Sequence, residues 1–388
     1  MYNHIVFKHM EKRYHKIFTI CLIFSVYFII MSKPGISLFA EPYLPSLDLT
    51  FTGDLMAHTS NFRMDDYTLI YRDIEYITRN DDLTFTNLEV PVVADQPYEN
   101  YPNFNIQPPY AEAAISAGFD VFSLANNHTN DQFAKGIAST YDYFTGLEAD
   151  GTVTAACGLK PEGTTDISYR LIEKNGFKVL FVAVTEILNT FIDRERIDYI
   201  DPGTEGKAAF ITFCRELREA HPCNLFILSM HVCEPEYVRT VTQARKDYFH
   251  DLLDAGVDII WANHPHVTQE WEVITDESGE PSKLIMYSMG NLISGQRYYY
   301  NYASPGADRE YTGDSLIMKV SAVKRDDGSV FLEFVQPLFI TTQIDSESNF
   351  IIKRYTQSFL EGLSEKDNAY FTKRLELIKK TTGLTICR

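Results

Sequence analysis

Two clusters in this chain carry residues that can do chemistry. One is Asn126-Asn127-His128 with Asp131 three positions on; the other is Asn263-His264-Pro265-His266. A carboxamide oxygen can ligate a divalent ion while the neighbouring imidazole faces a substrate as proton donor. A carboxylate three residues later can fix that imidazole's tautomer. Two imidazoles separated by a single proline can address two adjacent metals, and the proline stiffens the link. Asn and Asp also favour turns and helix caps, so neither cluster decides the matter alone. Each cluster, however, follows an apolar run that reads as a buried strand, and more candidates stand at further strand exits. They are Asp54 after Leu49-Thr-Phe-Thr-Gly, Glu89 after Leu83-Thr-Phe-Thr-Asn-Leu, and His231 after Leu225-Phe-Ile-Leu-Ser-Met. Carboxylates, Asn and His gathered at the ends of separate strands make a dinuclear site, a device that activates water against a phosphate ester.

The elements that must position these residues alternate from Leu47 onward. Strands are predicted at 48–52, 83–87, 121–125, 152–156, 178–184, 225–231, 259–262 and 284–288. Helices are predicted at 67–79, 109–117, 136–147, 207–220 and 238–255. Gly118 and Gly256 follow two of these helices, where the left-handed cap conformation is needed. Lys174-Asn175-Gly176 and Asp326-Asp327-Gly328 each sit between two apolar runs and read as hairpin turns. Antiparallel hairpins beside helix-linked strands imply a mixed sheet, or two sheets packed face to face. Ser288-Met289-Gly290-Asn291 ends a further strand, and its glycine permits close backbone approach to a ligand. Residues 296–312 form a loop rich in Tyr and Asn, on which Arg297 can supply positive charge to a rim. Residues 356–380 read as a charged helix with little apolar surface, an appendage to the domain.

Net charge is −18, which repels polyphosphate backbones and argues against nucleic acid as a partner. The first forty residues run the other way, with Lys8, Lys12, Arg13, Lys16 and Lys33 against Glu11. The uncharged apolar run at 17–31, ended by Ser-Lys-Pro-Gly, has the length of a signal-peptide core and is short for a membrane span. Residues 1–40 are therefore expected to be a signal peptide or an N-terminal anchor, with the domain exported to the periplasm or cell surface. The six cysteines show no metal or redox spacing; Cys214 and Cys223 are a candidate bridge that the sequence alone does not decide.

Taken in order, Gly53-Asp54-Leu-Met, Asn87-Leu-Glu89, Asn126-Asn-His128-x-x-Asp131, Ser229-x-His231, Ala255-Gly-x-Asp258…His264-Pro-His266-Val267 and Tyr287-Ser-Met-Gly-Asn291 resemble the CapA/PgsA proteins. These belong to the calcineurin-like metallophosphoesterase superfamily and are linked to poly-γ-glutamate capsule synthesis. The resemblance implies a four-layer αββα sandwich at 41–345, with a helical C-terminal extension at 346–388. It further implies two divalent ions (Mn, Fe or Zn). Asp54 and His266 match ligands of one; Asn127, His231 and His264 match ligands of the other; Glu89 takes the bridging place. His128 matches the catalytic acid with Asp131 behind it, and Asn87, Asn291 and Arg297 are left as substrate contacts. The sequence departs from the pattern where Met56 replaces a histidine two residues after Asp54, and at Asn263 in place of the first histidine of the usual Gly-His-His-Pro-His. An extra residue also precedes Glu236-Tyr237. Two functions are compatible with the resemblance. One is a metal-dependent hydrolase of a small phosphate ester or related bond; the other is a non-catalytic subunit that handles an anionic polymer with membrane synthase or export partners.

Overall fold

The computed structural model describes residues 44–383; the expected leader at 1–40 lies outside the described residues. Among the described residues, fourteen strands form two sheets. The first contains β1 (Ser46–Leu55), β2 (Leu83–Leu88), β3 (Val121–Ser123) and β4 (Ala155–Cys157), all parallel. The second contains β5 (Arg170–Lys174), β6 (Phe177–Thr185), β7 (Leu225–His231), β8 (Ile259–Asn263), β9 (Trp271–Thr275) and β10 (Pro281–Met286), in the order β5-β6-β7-β8-β10-β9. Short β11 (Asn291–Ile293) returns to the first sheet beside the end of β1. Then β12 (Asp314–Lys324), β13 (Val330–Ile344) and β14 (Phe350–Arg354) extend it antiparallel.

The sheets pack face to face. Leu49, Phe51 and Phe85 of the first meet Phe181, Ile227 and Trp261 of the second in one dry cluster. Burying each such side chain stabilises the fold by roughly 1.5–3 kcal/mol relative to exposure. Two polar ties cross this layer: Trp261 Nε1 donates to the Thr52 carbonyl at 2.7 Å, and the Ser229 and Ser123 hydroxyls meet at 2.9 Å. Both satisfy groups that would otherwise be stranded in the core. Outside the first sheet lie α1 (Pro108–Ser116) and α2 (Phe133–Asp150), which bury Ala111, Ala114, Ile137 and Phe144. Outside the second lie α3 (Thr204–Ala220) and α4 (Gln243–Asp254), burying Phe210, Cys214, Phe249 and Leu252. The architecture is a four-layer αββα sandwich, as the resemblance implied.

Local signals held where geometry alone sets them. Gly118 and Gly256 adopt φ +101 and +104, and Asn175-Gly176 turns β5 into β6 with both residues left-handed. The helix expected at 67–79 is instead a 3-10 turn (Tyr67–Ile70) and one short helix (Glu75–Thr78). Its aromatic and β-branched residues are poor helix formers, and Ile70, Tyr71, Ile74 and Ile77 are all drawn into the core.

The boundary expected at 345 does not separate a domain from an appendage. β14 pairs with β13 through Ile344↔Phe350, and α5 (Glu365–Thr381) buries Tyr370, Phe371, Arg374 and Ile378. Arg374 binds the Asp314 carboxylate through Nε at 2.7 Å and Nη2 at 2.6 Å, and Tyr370 donates to Glu310. A helix anchored by a buried ion pair looks like a solvated one in sequence. Cys214 and Cys223 are both free thiols, so they form no bridge.

Candidate metal centre

Strand register collects the expected ligands. At the carboxyl ends of the first sheet, Asn291, Asp54 and Asn87 lie side by side; in the second, Thr185, His231 and Asn263 do the same. Gly53 precedes Asp54 because a Cβ there would overlap the Gly290 carbonyl, whose oxygen accepts the Asp54 N–H at 3.0 Å. His264 and His266 follow β8 at φ +109 and +56, and Tyr237 is left-handed at φ +65 with its N–H bound to the Pro265 carbonyl. Non-glycine residues rarely adopt these conformations. Three within one loop contact mark backbone strain held by the surrounding structure.

The side chains form two overlapping groups. His231 Nε2 stands 2.7 Å from Asn127 Oδ1, 3.1 Å from His264 Nδ1 and 3.6 Å from Glu89 Oε1. His266 Nε2 lies 3.7 Å from the same Glu89 oxygen, and its Nδ1 meets Asp54 Oδ2 at 3.2 Å and Asn291 Oδ1 at 3.0 Å. Glu89 therefore sits between Asp54 with His266 on one side and Asn127, His231 and His264 on the other. Asn87 donates to Asp54 Oδ1 at 2.7 Å and Asn291 holds His266. Both, expected as substrate contacts, orient these side chains from behind.

Burial raises the Glu89 carboxyl well above its ordinary value, with the Asp54 charge adding to the effect. Burial pushes His231 well below its ordinary value and His264 down to about 3, each reinforced by neighbouring imidazoles. Neither Glu89 oxygen has a hydrogen-bond partner, although the side chain is fully buried. A buried carboxylate without a donor is costly unless a cation meets it. Neutral imidazoles, a carboxamide and two carboxylates suit a borderline divalent ion. The residues present therefore fit a metal. Met56, buried beside Asp54 on β1's exit, adds no ligand of comparable hardness, so the Asp54/His266 side is poorer in donors.

His128 Nδ1 meets Asp131 Oδ2 at 2.7 Å, and Asp131 also accepts the Phe104 N–H at 2.8 Å. Burial lifts the Asp131 carboxyl while the imidazole contact pulls it back. The ring packs edge-on to Phe104, and its Nε2 has no partner among the described residues. A cavity of about 1020 Å³ opens here, lined at its inner end by His128 and His266.

Arg297 is not at this cavity. It is fully buried and bound to Asp314 Oδ1 at 3.2 Å and to the carbonyls of Gly313 and Glu310, which makes it a structural cation beneath the rim. The sequence reading undervalued three residues. Asn189 lies 3.2 Å from both Asn127 Nδ2 and His128 Nδ1; it is a polar residue at the exit of β6, the same signal used for the other ligands. His58 lines the cavity, accepts the Gly295 N–H at 3.2 Å through Nδ1, and is pushed down to about 3 mainly by burial. Asn263 is buried in register with His231, and neither of its amide atoms has a partner.

Fold and site together define an αββα sandwich protein that carries a carboxylate, carboxamide and imidazole cluster at its strand ends. The family model "Bacterial capsule synthesis protein PGA_cap" matches residues 48–296, and the chain belongs to that family. It is 25% identical over 344 residues to the capsule biosynthesis protein CapA of Bacillus anthracis, covering 83% of this chain and 76% of that one. It is 24% identical over 257 residues to the PGA biosynthesis protein CapA of Bacillus subtilis (strain 168), covering 64% of each. Among solved structures, a hypothetical protein from Thermus thermophilus aligns at 16% identity and TM-score 0.42, covering 76% of this chain and 98% of that one. The NAD nucleotidase of Haemophilus influenzae aligns at 10% identity and TM-score 0.41, covering 86% and 68%.

Proposed function

We propose that this protein is a divalent-metal-dependent phosphoester hydrolase that acts outside the membrane in capsule polymer synthesis or export. The observation that carries the reading is Glu89, buried without a donor and shared by two overlapping ligand groups, one with Asp54 and His231 and one with His264 and His266. Asp54, Glu89 and His266 would hold one ion, and Glu89, Asn127, His231 and His264 the other. Bound Mn²⁺, Fe or Zn²⁺ supplies Lewis acidity toward a phosphoryl oxygen and lowers the pKa of water. The chain's own residues do the rest. Asn87 and Asn291 fix Asp54 and His266 in place. Asp131 holds the His128 ring so that Nε2 faces the cavity, from which it donates a proton to the ester oxygen as the P–O bond breaks and water's oxygen bonds to phosphorus. The buried Phe104 and Met56 side chains on the cavity wall limit bulk water around that proton transfer.

The test is elemental analysis of the purified protein together with hydrolysis of p-nitrophenyl phosphate. Wild type should retain divalent metal and turn the ester over. His231→Ala and His264→Ala should lose both properties. A metal-free protein that stays inactive with added Mn²⁺ would overturn the reading. The second reading, a non-catalytic subunit serving an anionic polymer beside membrane synthase or export partners, draws support from Met56, which leaves the Asp54/His266 side without a further imidazole. Full restoration of capsule polymer by both His128→Ala and His231→Ala in a deletion strain would favour it.

A further inference from the structure

The cavity outside the candidate metal centre has more room than a phosphate group needs; about 1020 Å³ is the size of a pocket for a whole small molecule. Its inner end already shows that it is a built site. His128 is 3% exposed, lines the cavity, and keeps Nε2 without a protein partner among the described residues. The outer wall then says what the rest of the ligand must look like.

That wall is acidic. Asp65, Asp66, Glu236, Asp308 and Glu347 all line it, against only Arg63 and Arg309. Part of this charge is already engaged: Asp308 holds Arg239 at 2.9 Å, and Asp66 accepts from the Thr68 N–H and hydroxyl at 2.9 and 2.6 Å. Asp65 and the Glu347 side chain have no partner among the described residues and face the cavity as free acceptors. Arg309 lies with its guanidinium 4.9 Å over the Tyr298 ring and Arg63 has no partner among the described residues, so the wall sets five carboxylates against two guanidiniums. Between these charges three tyrosine rings stand clear of the surface, Tyr101 at 68%, Tyr298 at 52% and Tyr237 at 38% exposure. Tyr237 is held there by the bond from its left-handed backbone to Pro265, between the two loop histidines. The cavity is thus bipolar: ligands for cations at the inner end, and at the outer end aromatic faces with an excess of carboxylates over guanidiniums.

We propose that this site selects phosphate esters whose leaving group is rich in hydrogen-bond donors, hydroxyl-bearing or ammonium-bearing, and rejects leaving groups that carry a carboxylate. The proposal rests on the hydrolase reading, which places the phosphoryl group at the inner end. Free carboxylates accept from hydroxyl or ammonium groups and repel another carboxylate. Tyrosine faces pack against the carbon skeleton of such a ligand and attract a cation. A polycarboxylate chain is therefore a poor occupant of this cavity, whatever polymer the protein serves.

Three six-carbon phosphate esters separate the alternatives. Glucose 6-phosphate, glucosamine 6-phosphate and 6-phosphogluconate differ in a hydroxyl, an ammonium or a carboxylate remote from the phosphate. Because 6-phosphogluconate is open-chain while the other two are rings, the charge effect is read from how the gap changes in a double variant of the wall. With the Mn²⁺-loaded full chain, kcat/KM should be about tenfold or more lower for 6-phosphogluconate than for the other two, the order expected of like charges meeting in a partly screened cleft. Glucosamine 6-phosphate ahead of glucose 6-phosphate assigns the wall to ammonium groups; parity assigns it to hydroxyls. In an Asp65→Asn/Glu347→Gln double variant the gap should shrink to below about threefold. That ratio is taken within one preparation, so a partly folded variant does not distort it. Equal kcat/KM for all three esters, or a gap unchanged in the double variant, would overturn the inference and leave the hydrolase reading standing. If neither these esters nor p-nitrophenyl phosphate is turned over, the hydrolase reading fails instead. Calorimetric binding of the same esters then still tests the wall, and equal affinity for glucose 6-phosphate and 6-phosphogluconate would overturn it.

Discussion

Replacing His231 and His264 together by Asn should change how stability depends on pH, by an amount that follows from their burial. The two rings are 1% and 3% exposed, and both are held neutral in the fold. In the unfolded chain each titrates near 6.5. A folded pKa depressed in this way contributes stability that is complete above about 6.5 and is lost as pH falls toward the folded value. At pH 5.5 each imidazole has cost the native state about 1.4 kcal/mol, so the pair costs ~3 kcal/mol. Asp120 and Asp198, whose carboxyls burial lifts to about 6, contact neither imidazole and cancel in the comparison. Asn does not titrate and tolerates the left-handed backbone found at 264. The assay is urea unfolding in EDTA at pH 7.5 and 5.5, with the two proteins compared at each pH. The variant should gain about 3 kcal/mol on wild type between the two conditions. Saturating Mn²⁺ at pH 7.5 should raise the urea midpoint of wild type alone. A difference between the proteins that stays constant with pH would mean that these imidazoles are not held neutral against each other, and the cluster as described would be wrong.

Other perturbations reach separate parts of the structure. His128→Ala should keep its metal by elemental analysis and lose roughly 10²–10⁴-fold in kcat on p-nitrophenyl phosphate, the usual worth of a positioned acid; a rate within threefold of wild type would remove His128 from the reaction. Asp314→Ala strands two buried guanidiniums, Arg297 and Arg374, and should cost ~3–5 kcal/mol in urea unfolding. Its metal content per folded molecule should not change, since Arg297 lies beneath the rim and away from the ligands. Gly53→Ala drives a methyl group into the Gly290 carbonyl and forces β1 away from β11. Soluble protein of this variant should bind metal more weakly than wild type, and undiminished affinity would show that the β1–β11 contact does not set the position of Asp54.

What was legible in the sequence was what nearest neighbours along the chain dictate. Continuous apolar runs announced β7 and β8, because strands buried on both faces have no polar side to alternate with. Asn-Gly and the glycine stops announced backbone conformations that few other residues adopt cheaply. Polar residues placed just past those runs announced the ligands, and the pair His128 and Asp131 could be read from a separation of three. The sequence therefore announced most strands and the identity of nearly every side chain in the cluster, while the choice between one mixed sheet and two packed sheets came only with the family resemblance. Tertiary structure alone decided how those side chains divide the work. Asn87 and Asn291 became supports and Asn189 entered beside His128, because distance between strands is set by sheet register and not by position in the chain. Arg297 and Arg374 read as surface charge, since a buried ion pair and a solvated one have the same composition; only the shared partner Asp314 shows that both are interior and that α5 belongs to the domain. The acidic, tyrosine-walled cavity has no sequence signature at all. It is assembled from loops after β1, β3, β7, β8, β11 and β13 and from the loop between β2 and α1, which meet only when both sheets have packed and their carboxyl ends lie on one side.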